Sequence, residues 1–502
     1  MYYIIPEPKK LEILSTNKYS FTSIKFANCP LTDVAKQDFL SFYNFAESSS
    51  ENVVFTLDNS IQEEGYKLIV SDGIINIYYS KPNGAFYALQ TLKQLLHQNS
   101  MQLEDLLIED YPSYSYRGFM LDVGRYFYSI NDVKTIIDRM ALHKMNMLHF
   151  HLTEDQGWRV EIKKYPLLTE KGSIRSHTNF NHKQHSGYYT QEEIKQIVQY
   201  CHDKYIKVMP EFDIPGHSRA AIACYKDLAC FPRDLDVATH WGVKKDVLCA
   251  GKESTYKFVF DVIDELCELF PDKLFHMGGD EVPKHRWSIC KDCQNKIKEQ
   301  GLKDESQLQE YFMNRVYEYL DKKGYEVYMW NYDNFTPGIL SDNIGFTLCG
   351  GECNGRKCID TSSSAYYLDL PYGYVPLKNS CDHKIAEGAI GAEVQMWTEY
   401  IPDMKKSDSM MYPRMGAMVE TVWAGKNSLE SFSKKLDAYY SFLDLYNVNY
   451  TKGDKKVNPT GIRKLHSIAY FEKRQLTWEG LEILIDNKKV ERIAKKTNNK
   501  IL

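Results

Sequence analysis

The sequence predicts an α/β protein in which a (β/α)8 TIM barrel follows a small α+β domain and precedes a helical C-terminal extension. Apolar, strand-like runs alternate with helical patterns over about 300 residues from Tyr116 onward, which is typical of a parallel sheet. That length favours a closed barrel over an open sheet. We place the domains at residues 1–112, 113–450 (the catalytic barrel) and 451–502.

The first domain mixes short strands and a helix. Residues 66–70 and 74–79 are apolar-rich runs with some polar alternation, and Asp72-Gly73 between them predicts a hairpin turn. Residues 84–97 have helical spacing of their apolar side chains. The segment Asp110-Tyr-Pro-Ser-Tyr-Ser115 is the predicted boundary before the barrel.

The barrel is predicted from strand and helix candidates that alternate along the chain. The strand candidates are residues 118–123, 145–151, 206–212, 273–278, 325–330 and 392–397. The helix candidates are residues 131–144, 190–204, 256–269 and 307–323, and the segments 429–446 and 477–496 predict helices after the last strand candidate. Long stretches follow several strands at their carboxyl ends, where barrel enzymes carry their sites.

Composition excludes several classes of partner. The formal net charge of −5 and the pI near 6.3 give no overall attraction to nucleic acid or to an anionic membrane. No apolar stretch approaches the ~20 residues of a membrane span, and the apolar run at the N-terminus is too short for a signal peptide. Without an export signal, the twelve cysteines are expected to be reduced, and the expected location is cytoplasmic.

The most informative motif is His276-Met-Gly-Gly-Asp-Glu-Val282, directly after a strand candidate. Its two glycines permit a sharp turn, so that Asp280 and Glu281 can face one ligand although adjacent side chains on a strand point apart. Each carboxylate raises the pKa of the other, so one can stay protonated near neutral pH and donate to a leaving group. A solvated acidic pair in a loop is the competing interpretation, and the strand context favours a functional one.

Other polar motifs follow the predicted strands. They are His149-Phe-His-Leu-Thr-Glu-Asp-Gln-Gly-Trp-Arg159, Met209-Pro-Glu-Phe-Asp-Ile-Pro-Gly-His-Ser218, Arg125 after the first strand, Trp330 at the end of another, Tyr366-Tyr-Leu-Asp369 and Gln395-Met-Trp-Thr-Glu399. Tyr367 and Asp369 share a face if that segment is extended, as do Trp397 and Glu399. Taken singly, the histidines and tryptophans are more often core residues than ligands.

Taken in order, these motifs resemble glycoside hydrolase family 20, the β-N-acetylhexosaminidases. The resemblance covers residues 116–423, and its most specific part is Gly278-Gly-Asp-Glu281. The first 110 or so residues resemble the small α+β domain that precedes the barrel in this family, through Glu64-Gly-Tyr-Lys-Leu68 and the helix candidate that follows.

The resemblance implies a retaining, substrate-assisted mechanism, for which this family is an exception to the usual pair of protein carboxylates. The 2-acetamido carbonyl of the substrate would attack the anomeric carbon and form an oxazolinium intermediate. Glu281 would protonate the leaving oxygen and then activate water. Asp280 would orient the acetamido N–H and stabilise the intermediate, and Tyr367 would hydrogen-bond the acetamido oxygen.

The resemblance also implies a substrate pocket. Arg125 is similar to the arginine that binds the 3- and 4-hydroxyls, and Glu399 to the acid that binds the 4- and 6-hydroxyls. Trp330 and Trp397 resemble walls of the cage around the acetamido methyl and the ring. Three further pocket residues carry over by position: Asp369, His217 beside the catalytic acid, and Glu154.

Two departures from the family pattern bear on substrate preference. Glu154-Asp155 stands where the family has two aspartates, so the longer Glu154 is expected to shift the His217 side of the pocket. The family also has a further cage tryptophan between the positions of Trp330 and Tyr367. Here Ile344-Gly-Phe-Thr-Leu-Cys-Gly-Gly351 stands in its place, so the acetamido pocket is looser or is filled by another aromatic residue.

Two groups of cysteines are candidate zinc ligands. Cys290-Lys-Asp-Cys293 is a CxxC pair, and Cys349, Cys353 and Cys358 form a second group that is not a clean pair. Since the family reaction needs no metal, the sequence favours no bound metal and no cofactor.

The sequence therefore predicts an exo-acting enzyme that removes terminal non-reducing β-linked GlcNAc or GalNAc. Its expected partner is an oligosaccharide or glycoconjugate substrate, and a homodimer is left open. One alternative is a narrower relative that releases a disaccharide or a modified hexosamine, which Glu399 disfavours by closing the pocket over the 4- and 6-hydroxyls. The other is a non-catalytic sugar-binding protein, which the presence of both acids and Tyr367 disfavours.

Overall fold

The protein is described by a computed structural model that covers residues 2–43, 45–47, 50–178, 182–331 and 338–475. Its two main parts are a small sheet domain and an eight-stranded parallel barrel, and helices follow the barrel. The predicted fold class is confirmed. The amphipathic segment 477–496, predicted as a helix of the extension, lies outside the described residues.

The described residues of the small domain form a six-stranded sheet, a short two-stranded sheet and two helices. Its elements are β1 (Lys10–Ser20), β2 (Ser23–Ile24), β3 (Phe26–Ala27), α1 (Asp33–Phe42), β4 (Ala46–Glu47), β5 (Val53–Leu57), β6 (Tyr66–Ser71), β7 (Ile74–Tyr79), α2 (Pro82–Gln98) and β8 (Gln102–Asp110). The main sheet has the order β1-β8-β6-β7-β5-β3. β6 and β7 form the predicted hairpin, whose turn residues Asp72 and Gly73 both have positive φ, as a tight hairpin requires.

The described residues after the small domain form twelve further strands, eight of which close the barrel. They are β9 (Tyr116–Asp122), β10 (Met147–His151), β11 (Thr153–Glu154), β12 (Gly157–Trp158), β13 (Ile174–Arg175), β14 (His185–Ser186), β15 (Lys207–Glu211), β16 (Leu274–His276), β17 (Glu326–Trp330), β18 (Gly345–Leu348), β19 (Cys358–Asp360) and β20 (Ala389–Met396). The barrel order is β9-β10-β15-β16-β17-β18-β19-β20, and each strand is parallel to its neighbours.

Helices surround the barrel and continue beyond it. They are α3 (Ile130–Leu142), α4 (Leu167–Glu170), α5 (Gln191–His202), α6 (Arg219–Cys224), α7 (Glu253–Leu269), α8 (His285–Ser288), α9 (Lys291–Glu299), α10 (Glu305–Asp321), α11 (Leu377–Asp382), α12 (Met404–Met411), α13 (Arg414–Ala424), α14 (Leu429–Ser433), α15 (Leu436–Leu445), α16 (Asp454–Val457) and α17 (Gly461–Gln475). α3 and α5 begin at capping boxes, Ser129 with Asp132 and Thr190 with Glu193, which satisfy free backbone N–H groups of the first turn.

The barrel departs from a regular alternation of strands and helices around β18. Residues 349–357, between β18 and β19, contain no helix, and neither do residues 331 and 338–344, the described part of the connection before β18. β18 and β19 are not among the strands predicted from the sequence, because strands of four and three residues carry too little periodicity to be recognised.

Two ion pairs form the joint between the small domain and the barrel. Lys144, just after α3, lies with its Nζ atom 2.9 Å from an oxygen of Asp110 at the end of β8, and both side chains are fully buried. Arg117 of β9 pairs with Glu64 of the small domain at 2.6 Å. These ion pairs fix the position of the barrel's first strand relative to the preceding sheet.

In the described part of the chain, no helix has both the length and the apolar character needed to cross a membrane.

Candidate active site

The candidate site lies at the carboxyl ends of the barrel strands. Inward-facing positions of the strands change from apolar to polar along the barrel axis. A small apolar cluster that includes Tyr116, Met147 and Tyr328 occupies the interior. Farther along, His149 of β10 lies 2.9 Å from Glu393 of β20, and both are fully buried. This polar layer supports the residues that reach the mouth of the barrel.

A tight turn after β16 presents the two adjacent acids. Gly278 and Gly279 have φ values of +66° and +99°, and a Cβ atom on Gly278 would lie 1.8 Å from Oδ1 of Asp213. Only glycine fits there. The same Asp213 oxygen accepts a hydrogen bond from the Gly279 N–H at 3.1 Å. Glu281 also has positive φ, at +47°, a strained conformation typical of functional sites.

The two acids of this turn differ in exposure and in charge state. The Asp280 side chain is 27% exposed and that of Glu281 is 56% exposed. Burial raises the pKa of Asp280 to about 6; His217 opposes this rise, and the charges of Glu211 and Glu281 add to it. The side chain of His217 lowers the pKa of Glu281. The two adjacent acids therefore have different pKa values, as predicted from the sequence. Without substrate, the pKa of Asp280 is raised and that of Glu281 is lowered.

His217, on the loop after β15, connects the acids to the neighbouring loop. Its Nε2 atom lies 3.5 Å from Glu281 and 3.9 Å from Asp280, and its Nδ1 atom lies 2.5 Å from Glu154. Burial disfavours charge on His217, but the carboxylates of Glu154 and Asp213 raise its pKa well above the usual value. An imidazolium beside the two acids is therefore the expected state at neutral pH.

Glu154 links His217 to the arginine predicted to bind sugar hydroxyls. Its Oε1 atom is 2.7 Å from Nη2 of Arg125 and 2.5 Å from Nδ1 of His217. Burial opposes its ionisation, yet Arg125 and His217 lower the pKa of Glu154 to about 2. Burial and the Glu154 charge raise the pKa of the adjacent Asp155 to about 6, and Asp155 accepts a hydrogen bond from the Arg219 N–H at 2.8 Å. The longer acid of the Glu154-Asp155 pair thus spans both cations.

Arg125 lies three residues after the end of β9, and acidic and aromatic side chains contact its guanidinium group. Its Nη1 donates to Asp122 at 3.3 Å, its Nη2 lies 3.8 Å from Glu399, and its guanidinium carbon lies 5.0 Å from the centre of the Trp397 ring. Because the guanidinium is already oriented by these contacts, it can present its remaining donors to hydroxyl groups at little entropic cost.

Trp330 and Glu211 form part of the pocket floor. The indole Nε1 of Trp330 donates to Glu211 at 2.7 Å, and His151 Nδ1 lies 2.6 Å from the other Glu211 oxygen. Trp330 packs against His276 and Trp397 with ring centres 4.9 and 5.5 Å apart. The indole ring is therefore fixed in orientation, as a wall that contacts a sugar ring must be.

Tyr367 completes the aromatic wall and contacts a cysteine. Its ring centre is 6.4 Å from that of Trp397, and its hydroxyl lies 2.9 Å from Sγ of Cys349. Cys349 directly follows β18, so it occupies the part of the wall where the sequence left open a looser pocket or another aromatic residue. Burial raises the pKa of its thiol to about 11, so it is neutral.

Asp369 lies in a turn rather than in the extended segment considered from the sequence. Burial and the charge of Glu399 raise its pKa well above the usual value. One of its oxygens, Oδ1, is buried without a hydrogen-bond partner in the described part of the chain. A protonated Asp369 can therefore donate a hydrogen bond to a polar ligand group.

The structure thus brings the sequence-predicted residues together at the carboxyl ends of the barrel strands, linked by ion pairs, ring contacts and electrostatic interactions. Several neighbours were not assigned a role from the sequence: Asp122, His149, His151, Glu211, Asp213, His276 and Cys349. Most of them stand within the motifs that were noted. These residues could have been recognised from the alternation of side chains near the end of each strand, where polar residues that face inward alternate with apolar residues that face outward.

The buried groups of acids and histidines within this site could in principle bind a metal. One consists of His149, Glu211 and His276. Glu211, however, already accepts hydrogen bonds from Trp330 and His151 and lies 3.0 Å from His149. The lone pairs of the carboxylate are used within the protein, so this group is explained as a polar network that orients the floor.

Family models match most of the described chain. The model described as glycosyl hydrolase family 20, catalytic domain, matches residues 114–383 and 354–426. The model described as glycosyl hydrolase family 20, domain 2, matches residues 1–111. These matched ranges correspond to the barrel with α11–α13 and to the small sheet domain.

Known proteins are similar over most of this chain. A beta-hexosaminidase of Porphyromonas gingivalis is 39% identical over 445 residues, which are 80% of this chain, and the chain spans 57% of that relative's length. A beta-hexosaminidase of Akkermansia muciniphila is 33% identical, over 78% of this chain and 86% of its own length.

Solved structures are similar in fold. A Bacteroides fragilis beta-N-acetylhexosaminidase has a TM-score of 0.79 and 27% identity, over 92% of this chain and 99% of its own. A Vibrio harveyi exo beta-N-acetylglucosaminidase in complex with N-acetylglucosamine has a TM-score of 0.79 and 28% identity, over 89% of this chain and 78% of its own.

Proposed function

This chain belongs to glycosyl hydrolase family 20, and we propose that it is an exo-β-N-acetylhexosaminidase that releases terminal, non-reducing β-linked GlcNAc or GalNAc. The resemblance inferred from the sequence is confirmed at the level of the family. One observation carries the proposal: the turn after β16 presents Asp280 and Glu281 beside the imidazole of His217, and Asp280 lies close enough to Tyr367 for its charge to raise the pKa of the phenol.

The mechanism we propose is retaining and uses the substrate's own acetamido oxygen as nucleophile. The acetamido carbonyl attacks the anomeric carbon as the glycosidic bond breaks, and a cyclic oxazolinium ion forms. Asp280 accepts a hydrogen bond from the acetamido N–H and stabilises the positive charge that develops. The Tyr367 hydroxyl donates to the acetamido oxygen, and burial raises the pKa of this phenol well above the usual value, so the proton is retained for donation.

The different exposures of the two acids support separate roles. Glu281 is the more exposed of the two, which suits a group that must reach the leaving-group oxygen at the pocket mouth and later a water molecule. We assign it proton donation in the first step and proton abstraction from water in the second. Asp280 is deeper and is surrounded by protein, where a fixed negative charge acts most strongly on a developing cation.

The remaining residues bind and orient the terminal sugar. Arg125 and Glu399, 3.8 Å apart, would bind hydroxyls on the side of the ring remote from the scissile bond. Asp369 is placed beside Glu399 and would donate to a hydroxyl in its protonated form. Charged groups that close over these hydroxyls would block a further sugar unit on that side of the ring, which is the reason for proposing exo action.

Hydrolysis of aryl β-glycosides of GlcNAc and GalNAc tests the activity. We expect release of the phenol from both sugars and none from the β-glucoside, which lacks the acetamido group. Glu281→Gln should lower kcat/KM strongly on glycosides with poor leaving groups and less on those with an activated phenol, because kcat/KM reports the first step and an activated phenol leaves without a proton. Sugar binding without turnover on any of these glycosides would instead indicate a non-catalytic binding protein.

A series of N-acyl groups tests the mechanism. Replacing acetyl by mono-, di- and trifluoroacetyl weakens the carbonyl as a nucleophile, so kcat/KM should fall stepwise along the series. Product analysis by NMR immediately after mixing should show the β-anomer first. Rates that do not respond to fluorination would mean that a protein group is the nucleophile.

A further inference from the structure

Four cysteines outside the active site are brought together by the fold. Cys230 and Cys249 lie in the long loop between β15 and α7, Cys290 immediately precedes α9, and Cys293 lies in its first turn. All four are buried, and their sulfur atoms all lie within 4.8 Å of one another. We infer that these cysteines form a structural zinc site that ties together two loops of the barrel.

The distances between the sulfur atoms match a single tetrahedral ion. Cys249 Sγ lies 3.6 Å from that of Cys293 and 3.8 Å from that of Cys290, and Cys230 Sγ lies 3.7 Å from that of Cys293. Four sulfurs bound tetrahedrally at 2.3 Å from zinc lie about 3.8 Å apart. A disulfide needs about 2.05 Å. A polynuclear iron–sulfur cluster spreads its ligands over different iron atoms, which places the sulfurs farther apart.

The backbone around the four sulfurs is held in place independently of any metal. The loop makes a bridge between Ala229 and Leu248, and the Cys249 N–H donates to the Leu228 carbonyl at 2.8 Å. Lys252 Nζ donates to the Ala229 carbonyl at 2.7 Å. These hydrogen bonds fix the backbone next to Cys230 and Cys249, as the hydrogen bonds around the ligands of a metal site usually do.

The other half of the site is packed directly against this loop. A Cβ atom on Gly251 would lie 2.3 Å from the backbone nitrogen of Cys293, so only glycine permits the approach. The N-terminus of α9 adds backbone N–H groups and the positive end of a helix dipole next to Cys290. Since zinc with four thiolates carries a net negative charge, this environment stabilises it.

The inferred zinc site differs from what the sequence predicts, which is no bound metal. From the sequence, the candidate zinc ligands are the pair Cys290 and Cys293 and the separate group Cys349, Cys353 and Cys358. The partners in the structure are Cys230 and Cys249, up to 63 residues away in the chain. The group is complete with four ligands and no free position, which is the pattern of a structural rather than a catalytic zinc.

The site would fix the loops that carry the proposed chemistry. The Leu248 N–H, one residue from Cys249, donates at 2.9 Å to the carbonyl of Pro215, two residues before His217. Cys290 follows Glu281 by nine positions in the chain. A metal that joins these segments would fix the position of His217 relative to Asp280 and Glu281 without contacting the substrate.

Metal analysis of the full chain, purified without a histidine tag and without added zinc, tests the inference. We expect about one zinc per chain in the native protein and below about 0.1 in Cys230→Ser and Cys249→Ser, because a structural site needs all four ligands. Cys381→Ser, a buried cysteine of α11 outside the group, should keep its zinc. Native protein with almost no metal, or zinc retained in both ligand variants, would overturn the inference.

A second measurement does not depend on whether the variants fold. Native protein produced with cobalt in place of zinc should show the intense near-ultraviolet charge-transfer absorption of a tetrahedral cobalt–thiolate site. Absence of that band, or a disulfide among the four cysteines found by mass spectrometry of the native protein, would contradict the proposal. Removing the metal with a chelator should lower Tm. These readouts need no substrate, so they are independent of the proposed glycosidase activity.

Discussion

The Nε2 atom of His217 lies 3.5 Å from Oε2 of Glu281, the more exposed of the two adjacent acids. This contact lowers the pKa of Glu281, and the charge of the same imidazole opposes the rise in the pKa of Asp280. In the proposed mechanism Glu281 must be protonated and Asp280 ionised in the first step. His217 therefore acts on both limbs of the pH dependence without touching the scissile bond.

His217→Asn is expected to move the pH profile of kcat/KM toward higher pH. The pKa of Asp280 rises when the opposing positive charge is lost, and the pKa of Glu281 rises because the group that lowers it is removed. Both limbs of the profile therefore move to higher pH. We expect a displacement of about 1 pH unit, the usual size for loss of one neighbouring charge. Because the acids interact, the limbs are properties of the pair.

The matched control is His202→Asn, which removes a half-buried histidine that pairs with Asp272 at 2.9 Å, on α5 away from the acids. Its profile should coincide with that of the native enzyme. A His217→Asn profile that is lower in rate but unmoved in pH would show that His217 only positions the loop.

The sequence predicts those features of the site that depend on residues close together in the chain. Asp280 and Glu281 are adjacent and follow two glycines, so a strand followed by a turn was enough to find them. Glu211 contacts Trp330 across 119 positions, and Cys230 contacts Cys293 across 63. No local periodicity encodes such contacts, because they depend on which strands and loops become neighbours when the barrel closes.

The same limit applies to the fold. Strands that lie between long amphipathic helices were predicted, since the change of period from 2 to 3.6 marks both elements. β18 and β19 have no helix between them, and neither, at four and three residues, is longer than two full repeats of alternation. The sequence therefore predicted the barrel's closure from its length and not from a count of its strands.

Asp280→Asn is expected to lower kcat far more than it raises KM. The carboxylate stabilises charge that develops only as the oxazolinium ion forms, and removing one such group costs about 10²–10³-fold in kcat. The amide keeps the size of the side chain and can still accept a hydrogen bond, so KM should change much less. Steady-state kinetics on an aryl β-GlcNAc glycoside measure both. Comparable changes in the two constants would mean that Asp280 mainly positions the sugar.

Cys349→Ala is expected to widen tolerance for larger N-acyl groups. The thiol lies 2.9 Å from the Tyr367 hydroxyl, and its removal leaves space next to the acetamido methyl. The ratio of kcat/KM for N-propionyl over N-acetyl glycosides should therefore rise. Loss of the contact with Tyr367 should also lower the N-acetyl rate, by about 2–10-fold if the hydrogen bond contributes about 0.5–1.5 kcal/mol.

Cys353→Ala is the control, since Cys353 follows in the same connection between β18 and β19 and has no contact with Tyr367 among the described hydrogen bonds. Its ratio of N-propionyl to N-acetyl turnover should match that of the native enzyme. An unchanged ratio in Cys349→Ala would place the acyl group elsewhere in the pocket.

Lys144→Met is expected to destabilise the protein while leaving the residues of the active site in place. Lys144 and Asp110 are both fully buried, with Nζ 2.9 Å from the carboxylate, and methionine keeps the length of the side chain but not its charge. An uncompensated buried carboxylate costs about 3–5 kcal/mol, and here Tyr66 and Trp423 still donate to Asp110, so we expect a loss of about 3 kcal/mol in the free energy of unfolding. Urea denaturation followed by fluorescence measures it. Lys164→Met removes an exposed pair with Asp261 and should leave the midpoint unchanged. Equal midpoints for the two variants would mean that the joint between the small domain and the barrel does not depend on the Lys144–Asp110 pair.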